Sequence, residues 1–286
     1  VNEHQGLNLH GLKLVVDCAN GAASSYGYEV FTRLGADVIP INATPDGTNI
    51  NVKAGSEYVR QYPGRLSEII RANNANFGIA FDGDADRVIF VDEVGNLVDG
   101  DQMLAILGDY LHAQGKLLGN IVVSTTMRNG ALVNYFAERK IKFIETPVGD
   151  KYIVKALHEL ELNEPDNSSI GLGGEQSGHI ILMDQGHTTG DGLRSAVYLI
   201  KAYLASGENS LSKLAESIHK FPQVIASAQV AEKINLDQLE TVVALQNEIK
   251  RDLPGLTRMN LRYSGTEPLV RLMLEADHRH NEADLA

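Results

Sequence analysis

Short apolar runs alternate with amphipathic stretches along most of the chain. Residues 12–17 (LKLVVD), 37–41, 77–81 and 88–91 have the length and β-branched content of strands. Residues 24–34 carry Tyr26, Val30 and Leu34 at helical spacing, with Ser24 or Ser25 as cap and Gly35 as stop. A turn-rich loop at 42–56 and a helix at 66–73 complete a strand–helix–strand–helix–strand order. After the Gly95-Asn96 turn the alternation starts again. Asp101 caps a helix that turns Met103, Leu104, Leu107, Tyr110 and Leu111 inward. Strands at 121–126 and 141–145 alternate with helices at 131–139 and 151–160, before a glycine-rich strand pair at 169–184 and a helix at 192–205.

Beyond Gly207 the pattern changes. A short helix at 211–218 and a strand at 224–230 precede an amphipathic helix at 236–253, which Pro254 stops. Strands at 259–262 and 269–275 flank a turn, and the polar tail is predicted to fray. The expected fold is α/β: two consecutive α/β domains with mixed sheets, 1–95 and 96–208, followed by a small α+β domain, 209–286.

Composition narrows the partners. The 286 residues are 43% hydrophobic and 22% charged, enough for a substantial core. A net charge of −12 argues against nucleic acid or an anionic membrane surface as partner. Any phosphate site must therefore be a local cluster of basic groups and backbone N–H. The single cysteine, Cys18, cannot form an internal disulfide, and neither a signal-peptide pattern nor a membrane-length apolar run occurs, so a cytoplasmic location is expected.

The most chemical stretch is FGIAFDGDADRVIFVD, residues 77–92. Two apolar runs deliver Asp82, Asp84 and Asp86 at alternate positions, with Arg87 beside them and only Gly83 and Ala85 between. Three carboxylates this close repel one another unless a cation sits among them, and oxygen-only ligands favour Mg2+. An EF-hand would use Asp82, Asp84, Asp86 and Glu93, but it needs glycine where Arg87 stands and helices where strands are expected. A phosphatase using Asp82 and Asp84, with Ser124 or Thr125 and Lys151 in support, is the sharper rival.

Three further stretches invite chemistry. In residues 262–268 (RYSGTEP), Ser264, Gly265 and Thr266 form a turn able to nest an anion, with Arg262 on one side and Arg271 beyond. Residues 173–179 (GGEQSGH) place Glu175, Ser177 and His179 between glycines, a fair set of partners for sugar hydroxyls. Residues 147–151 (PVGDK) set Lys151 at a helix start, where an anion is favoured.

Together, DGDADR, GEQSGH and RYSGTEP, in this order, resemble the α-D-phosphohexomutase superfamily and, within it, the bacterial phosphoglucosamine mutase family. VVDCANGAA (15–23), PDGTNIN (45–51) and TTGDGL (188–193) resemble that family too, as does the glutamine of GEQSGH. The resemblance implies an isomerase that interconverts glucosamine 6-phosphate and glucosamine 1-phosphate through a phosphoserine and a bisphosphate intermediate, in amino-sugar and peptidoglycan precursor biosynthesis. It implies that Asp82, Asp84 and Asp86 bind Mg2+ and that Arg87 lies by the transferring phosphoryl group. Glu175, Ser177 and His179 are implied for the sugar, and Arg262, Ser264, Gly265, Thr266 and Arg271, with Lys151, for phosphate. Lys151 stands where relatives usually carry arginine. The family's phosphoserine lies in a Ser-His-Asn-Pro type loop of a first domain, and no such loop occurs in these residues. The chain is accordingly expected to lack that domain and to be incompetent by itself, leaving a sugar-phosphate binding module as the reading from another class.

Overall fold

In the computed structural model, which describes residues 6–163, 168–184, 186–265 and 268–286, each apolar run becomes a strand. The first stretch runs β1 (Lys13–Asp17), α1 (Ala23–Arg33), β2 (Asp37–Ile41), α2 (Gly55–Gln61), α3 (Gly64–Ala72), β3 (Phe77–Phe81), β4 (Val88–Asp92) and β5 (Leu97–Val98). Its sheet has the order β2-β1-β3-β4-β5. β1 is parallel to β2 and β3, while β4 returns antiparallel to β3 through a tight hairpin. All ten residues of β3 and β4 are buried, so the loop joining them rises from a fixed base.

The second stretch runs α4 (Gly100–Ala113), β6 (Leu117–Thr125), α5 (Ala131–Glu138), β7 (Lys142–Thr146), α6 (Asp150–Asn163), β8 (Ile170–Gly174), β9 (Ile180–Met183), α7 (Gly192–Ser206) and α8 (Leu211–Ala215). Its sheet order is β7-β6-β8-β9. Again three parallel strands are followed by one antiparallel return. The two sheets thus share one topology although no residue-level repeat joins their sequences. In both, the hairpin from third to fourth strand carries the chemical motif.

The two sheets and their helices form one compact unit, reaching to Arg128 and resuming over Tyr135–Ile218. The second unit comprises Asn129–Asn134 and His219–Ala286. It contains β10 (Gln223–Gln229), α9 (Glu240–Asp252), β11 (Leu256–Tyr263), β12 (Leu269–Ala276) and α10 (Glu282–Leu285), with sheet order β10-β12-β11, antiparallel throughout. Glu275, fully buried, accepts Gly130 N–H at 2.7 Å and Thr257 Oγ1–H at 3.1 Å, so its carboxylate is satisfied within the unit.

Several local expectations change. Helix α1 begins at Ala23 behind Ala22 with no side-chain cap, and it buries Ala23, Gly27 and Phe31 while Tyr26 is 67% exposed. The apolar count favoured the Tyr26 face; the close approach possible only at Ala23 and Gly27 decides otherwise. Asp99, not Asp101, caps α4, in a reciprocal box with Gln102. The 42–56 loop ends in α2, which sequence periodicity did not reveal because it is only seven residues long. The amphipathic helix of the last segment is broken into a 3-10 turn (Leu236–Gln238) and α9. The tail does not fray: Asn281 and Asp284 cap α10, and Leu285 is buried. Cys18 is a buried free thiol, and no helix among the described residues is long and apolar enough to cross a membrane.

Candidate functional site

The β3–β4 hairpin closes with Phe81 opposite Val88, leaving residues 82–87 as its loop. Asp82 organises this loop locally: its Oδ1 accepts Arg87 N–H at 3.0 Å and its carbonyl accepts Ala85 N–H at 3.2 Å. The chain turns back through Ala85 at φ +62°, a left-handed conformation that costs an alanine roughly 1–2 kcal/mol. The result is convergence. One oxygen from each of Asp82, Asp84 and Asp86 lies within 4.8 Å of the others.

Neighbouring segments hold this loop by its backbone. Gly83 O accepts Ala22 N–H at 2.8 Å, and a Cβ on Gly21 would lie 2.1 Å from that same oxygen. A Cβ on Gly83 would lie 2.6 Å from the Asn51 side-chain nitrogen. Ala85 O accepts Gly192 N–H at 3.0 Å from the first turn of α7, whose cap is Asp191. These contacts come from CANGAA, PDGTNIN and TTGDGL, stretches that stand out in the sequence only for their likeness to a family. The fold gives them a physical role, since three loops press on the acidic loop so closely that only glycine fits. Asp17, at the end of β1, supports the first two by accepting Ala19 N–H at 2.9 Å and Gly55 N–H at 3.1 Å.

The electrostatics of the loop are those of a site built for a cation. Burial pushes the Asp82 carboxyl up to about 7, against the pull of the Arg87 amide, and repulsion from Asp86 and Asp84 adds to the rise. Arg87 stands 3.9 Å from Asp82 and 4.0 Å from Asp86, too far for hydrogen bonds. Asp86 Oδ1 is buried and finds no hydrogen-bond partner among the described residues. An orphaned carboxylate oxygen among three converging acids is what a hard cation would satisfy. A cavity of about 470 Å3 opens beside Asp84 and Asp86, bounded by Tyr26, Thr188 and Thr189, within the size range of small-molecule sites.

The second hairpin, β8–β9, meets the first at the acidic loop. Gly178 O accepts Val88 N–H at 3.1 Å, and a Cβ on Gly178 would lie 2.2 Å from Val88 O. His179 Nδ1 lies 3.1 Å from Asp86 Oδ2. Glu175 Oε1 accepts Gly149 N–H at 3.2 Å, which brings the 147–151 segment to the same hairpin. Ser177 Oγ is buried and has no hydrogen-bond partner among the described residues. Gln176 points elsewhere: its side-chain amide donates to the buried Asp101 Oδ2 at 3.0 Å, while its backbone carbonyl accepts Gly100 N–H. Lys151 is exposed, with its ammonium over the Tyr152 ring at 4.9 Å. Glu93 caps α8 through Leu211 and Ser212, outside the acidic cluster. Ser124 donates to Gly174 O at 2.7 Å from the second sheet, while Asp82 follows a strand of the first.

In the second unit residues 262–265 lie at the end of β11, and residues 268–271 at the start of β12. Arg262 and Arg271 are directly opposed, Tyr263 faces Val270, and Ser264 N–H closes the turn on Leu269 O at 2.8 Å. Ser264 is buried and Gly265 exposed, while Thr266 lies outside the described residues. Lys233 joins them by donating to Ser264 O at 2.7 Å, and Ile234 N–H binds the Tyr263 hydroxyl. Lys233 is a third cation at this turn that no sequence motif announced, because it lies some thirty residues upstream.

Comparison with known proteins agrees with this architecture. The descriptions "Phosphoglucomutase/phosphomannomutase, alpha/beta/alpha domain II", "alpha/beta/alpha domain III" and "C-terminal domain" match residues 3–95, 99–221 and 226–286 respectively. Phosphoglucosamine mutase of Bacillus subtilis is 42% identical over 266 residues, covering 93% of this chain and 56% of that protein. Phosphoglucosamine mutase of Carboxydothermus hydrogenoformans is 45% identical over 269 residues, covering 94% and 57%. The chain therefore spans a little over half the length of these relatives. Among solved structures, Aspergillus fumigatus N-acetylphosphoglucosamine mutase in complex with GlcNAc-6P and magnesium superposes with a TM-score of 0.73 at 22% identity, over 99% of this chain and 61% of that one.

Proposed function

The chain belongs to the phosphoglucomutase/phosphomannomutase family, and on that footing we propose that it supplies the metal-, sugar- and phosphate-binding parts of a phosphoglucosamine mutase. The observation that carries this reading is the meeting of two hairpins: three converging carboxylates joined to the Glu175–His179 turn through Val88–Gly178 and Asp86–His179. The division into domains 1–95, 96–208 and 209–286 belongs to the same reading, supported by one sheet for each, although β5 of the first sheet lies past the first boundary and α8, in the same unit as the second sheet, lies past the second.

In this reading Asp82, Asp84 and Asp86 hold Mg2+. The orphaned Asp86 oxygen and the raised Asp82 support that choice. When bound, the ion supplies charge neutralisation at a phosphoryl oxygen. Arg87, half-exposed at the rim of the acidic loop, is poised to bind the transferring phosphoryl group and stabilise its developing charge. Glu175 and Ser177 orient sugar hydroxyls. The Glu175 carboxylate is already steadied by Gly149 N–H, so it needs little reordering when a sugar arrives. Arg262, Ser264, Gly265, Thr266 and Arg271 bind the phosphate that is not reacting, and Lys151 offers a further cation.

The substrates are glucosamine 6-phosphate and glucosamine 1-phosphate, interconverted through a phosphoserine and a bisphosphate. The residues present contain no Ser-His-Asn-Pro loop to carry the phosphoserine, so the 286-residue chain binds without turnover. Calorimetric titration of the purified chain with glucosamine 6-phosphate and Mg2+ tests both points. Binding that Arg262→Ala weakens, without interconversion of the monophosphates, is the expected result. Absence of binding removes the sugar-phosphate reading; turnover in a sample free of host enzyme removes the claim of incompetence. Metal-dependent phosphate release that Asp82→Asn abolishes would instead point to a phosphatase.

A further inference from the structure

We infer that His179 is a positioning residue of the carboxylate centre, holding one oxygen of Asp86 so that the other faces a divalent cation. The inference rests on the cation reading of Asp82, Asp84 and Asp86 and adds a residue from the second sheet to it.

The geometry is specific. The His179 side chain is 8% exposed, and its Nδ1 lies 3.1 Å from Asp86 Oδ2. With the proton on Nδ1, the imidazole donates to that oxygen. Asp86 Oδ1, the other oxygen, is buried with no hydrogen-bond partner among the described residues and has Arg87 Nε 4.0 Å away, beyond bonding reach. The carboxylate is thus held at one end and left without a hydrogen bond from the described residues at the other, and one of its oxygens converges with Asp82 and Asp84. A ligand fixed in this way loses less freedom when an ion arrives, which is why the partners of metal ligands influence affinity.

The imidazole cannot easily withdraw. Gly190 lies flat against it, since a Cβ there would be 2.4 Å from His179 Nε2. Nε2 is itself buried and without a partner. A ring placed only to fill space would not carry two buried nitrogens, one aimed at a carboxylate and one facing a glycine. On the other side of the residue, Gly178 is pinned to Val88, the first residue of β4 after the acidic loop. His179 is therefore short-tethered at its backbone to the strand that leaves the acidic loop and bonded at its side chain to that loop's last carboxylate.

A consequence follows for the sugar turn. Glu175 N–H binds His179 O at 3.0 Å, so the residue that steadies Asp86 also closes the turn bearing Glu175 and Ser177. A cation that orders Asp86 also orders this turn, and linkage makes the effect reciprocal: a ligand on the turn tightens the cation.

Two amides of similar polarity test the role. In His179→Asn the side-chain nitrogen falls near the place of Nδ1; in His179→Gln it falls near that of Nε2. Mn2+ is titrated into the 286-residue chain and followed by electron paramagnetic resonance, with Mg2+ measured by competition. His179→Asn is expected to bind within about threefold of the parent and His179→Gln about 10- to 100-fold more weakly, the range found for partners of metal ligands. Amide hydrogen exchange at residues 175–180 is expected to slow on adding Mg2+ in the parent and in His179→Asn, but not in His179→Gln. Equal Mn2+ affinity in all three folded proteins overturns the inference, and so does equal weakening in both variants. Absence of Mn2+ binding by the parent chain removes the cation reading itself and the inference with it.

Discussion

Arg262 and Arg271 sit directly opposite each other on one face of the β11–β12 hairpin. Like charges paired across strands destabilise a hairpin, by roughly 0.2–1 kcal/mol. Lys233 adds a third positive group at the same turn. In a chain of net charge −12, such a cluster is a local feature built against the trend of the composition. It becomes favourable when an anion is shared between the guanidinium groups.

Arg271→Gln tests this, with its thermal stability first measured when no anion is present. The same change should weaken binding of inorganic phosphate or a sugar phosphate by about tenfold or more, as loss of a charge-assisted bond does. Thermal unfolding with and without phosphate measures both at once. A variant that is destabilised and still gains the parent's full stabilisation from phosphate contradicts the assignment.

Cation binding should depend on pH through Asp82, whose carboxyl burial pushes up to about 7. Below that pH a proton occupies the oxygen that the cation needs, so apparent Mg2+ affinity should fall about tenfold for each further pH unit. Above it, affinity should level off. The sign for stability is opposite in the cation-free chain. An acid whose folded pKa is raised binds its proton more tightly when folded, so stability is lost as pH rises from the ordinary carboxyl range through about 7. Mg2+ should consequently raise the Tm more at pH 8 than at pH 6, which scanning calorimetry can measure.

Gly178→Ala probes the junction of the two hairpins. The residue has φ +89°, and its Cβ would lie 2.2 Å from Val88 O, a backbone atom that cannot swing aside. A loss of roughly 2–4 kcal/mol in chemical denaturation is expected, from combined strain and displacement of the Val88 hydrogen bond. A loss below 0.5 kcal/mol (taken as about the scatter of neutral surface changes) would mean that the hairpins meet less tightly than described.

Gln176→Met separates anchoring from sugar contact. Gln176 donates to the buried Asp101 Oδ2 at the start of α4, so methionine removes a donor from a desolvated carboxylate at a cost of about 1–3 kcal/mol. Sugar-phosphate binding should weaken through loss of turn order, with Mg2+ affinity little changed. If stability is unaffected and only sugar binding falls, Gln176 contacts ligand instead.

Much of this was legible in the amino-acid order. Apolar period and turn residues are local properties, and they placed β3, β4, β8, β9, β11 and β12 to within a few residues. Composition and spacing singled out Asp82, Asp84 and Asp86, because three acids at alternate positions between buried strands have few other uses. The arginines flanking Ser264 were likewise visible as charge against the trend.

Other features depend on contacts far apart in sequence, which no local pattern encodes. The cap of α4 passed from Asp101 to Asp99 because backbone entry angle, not residue type alone, selects the cap. The buried face of α1 went to Ala23 and Gly27, where small size permits close approach. Lys233 reached the Ser264 turn across thirty-one positions. Above all, His179, which the sequence groups with Glu175 and Ser177, also has its ring beside Asp86, ninety-three residues earlier in the chain. Residue order alone marks which side chains could do chemistry. The tertiary structure decided which of them act on one another, because only packing of the two sheets brings their hairpin loops within the few ångströms over which hydrogen bonds operate.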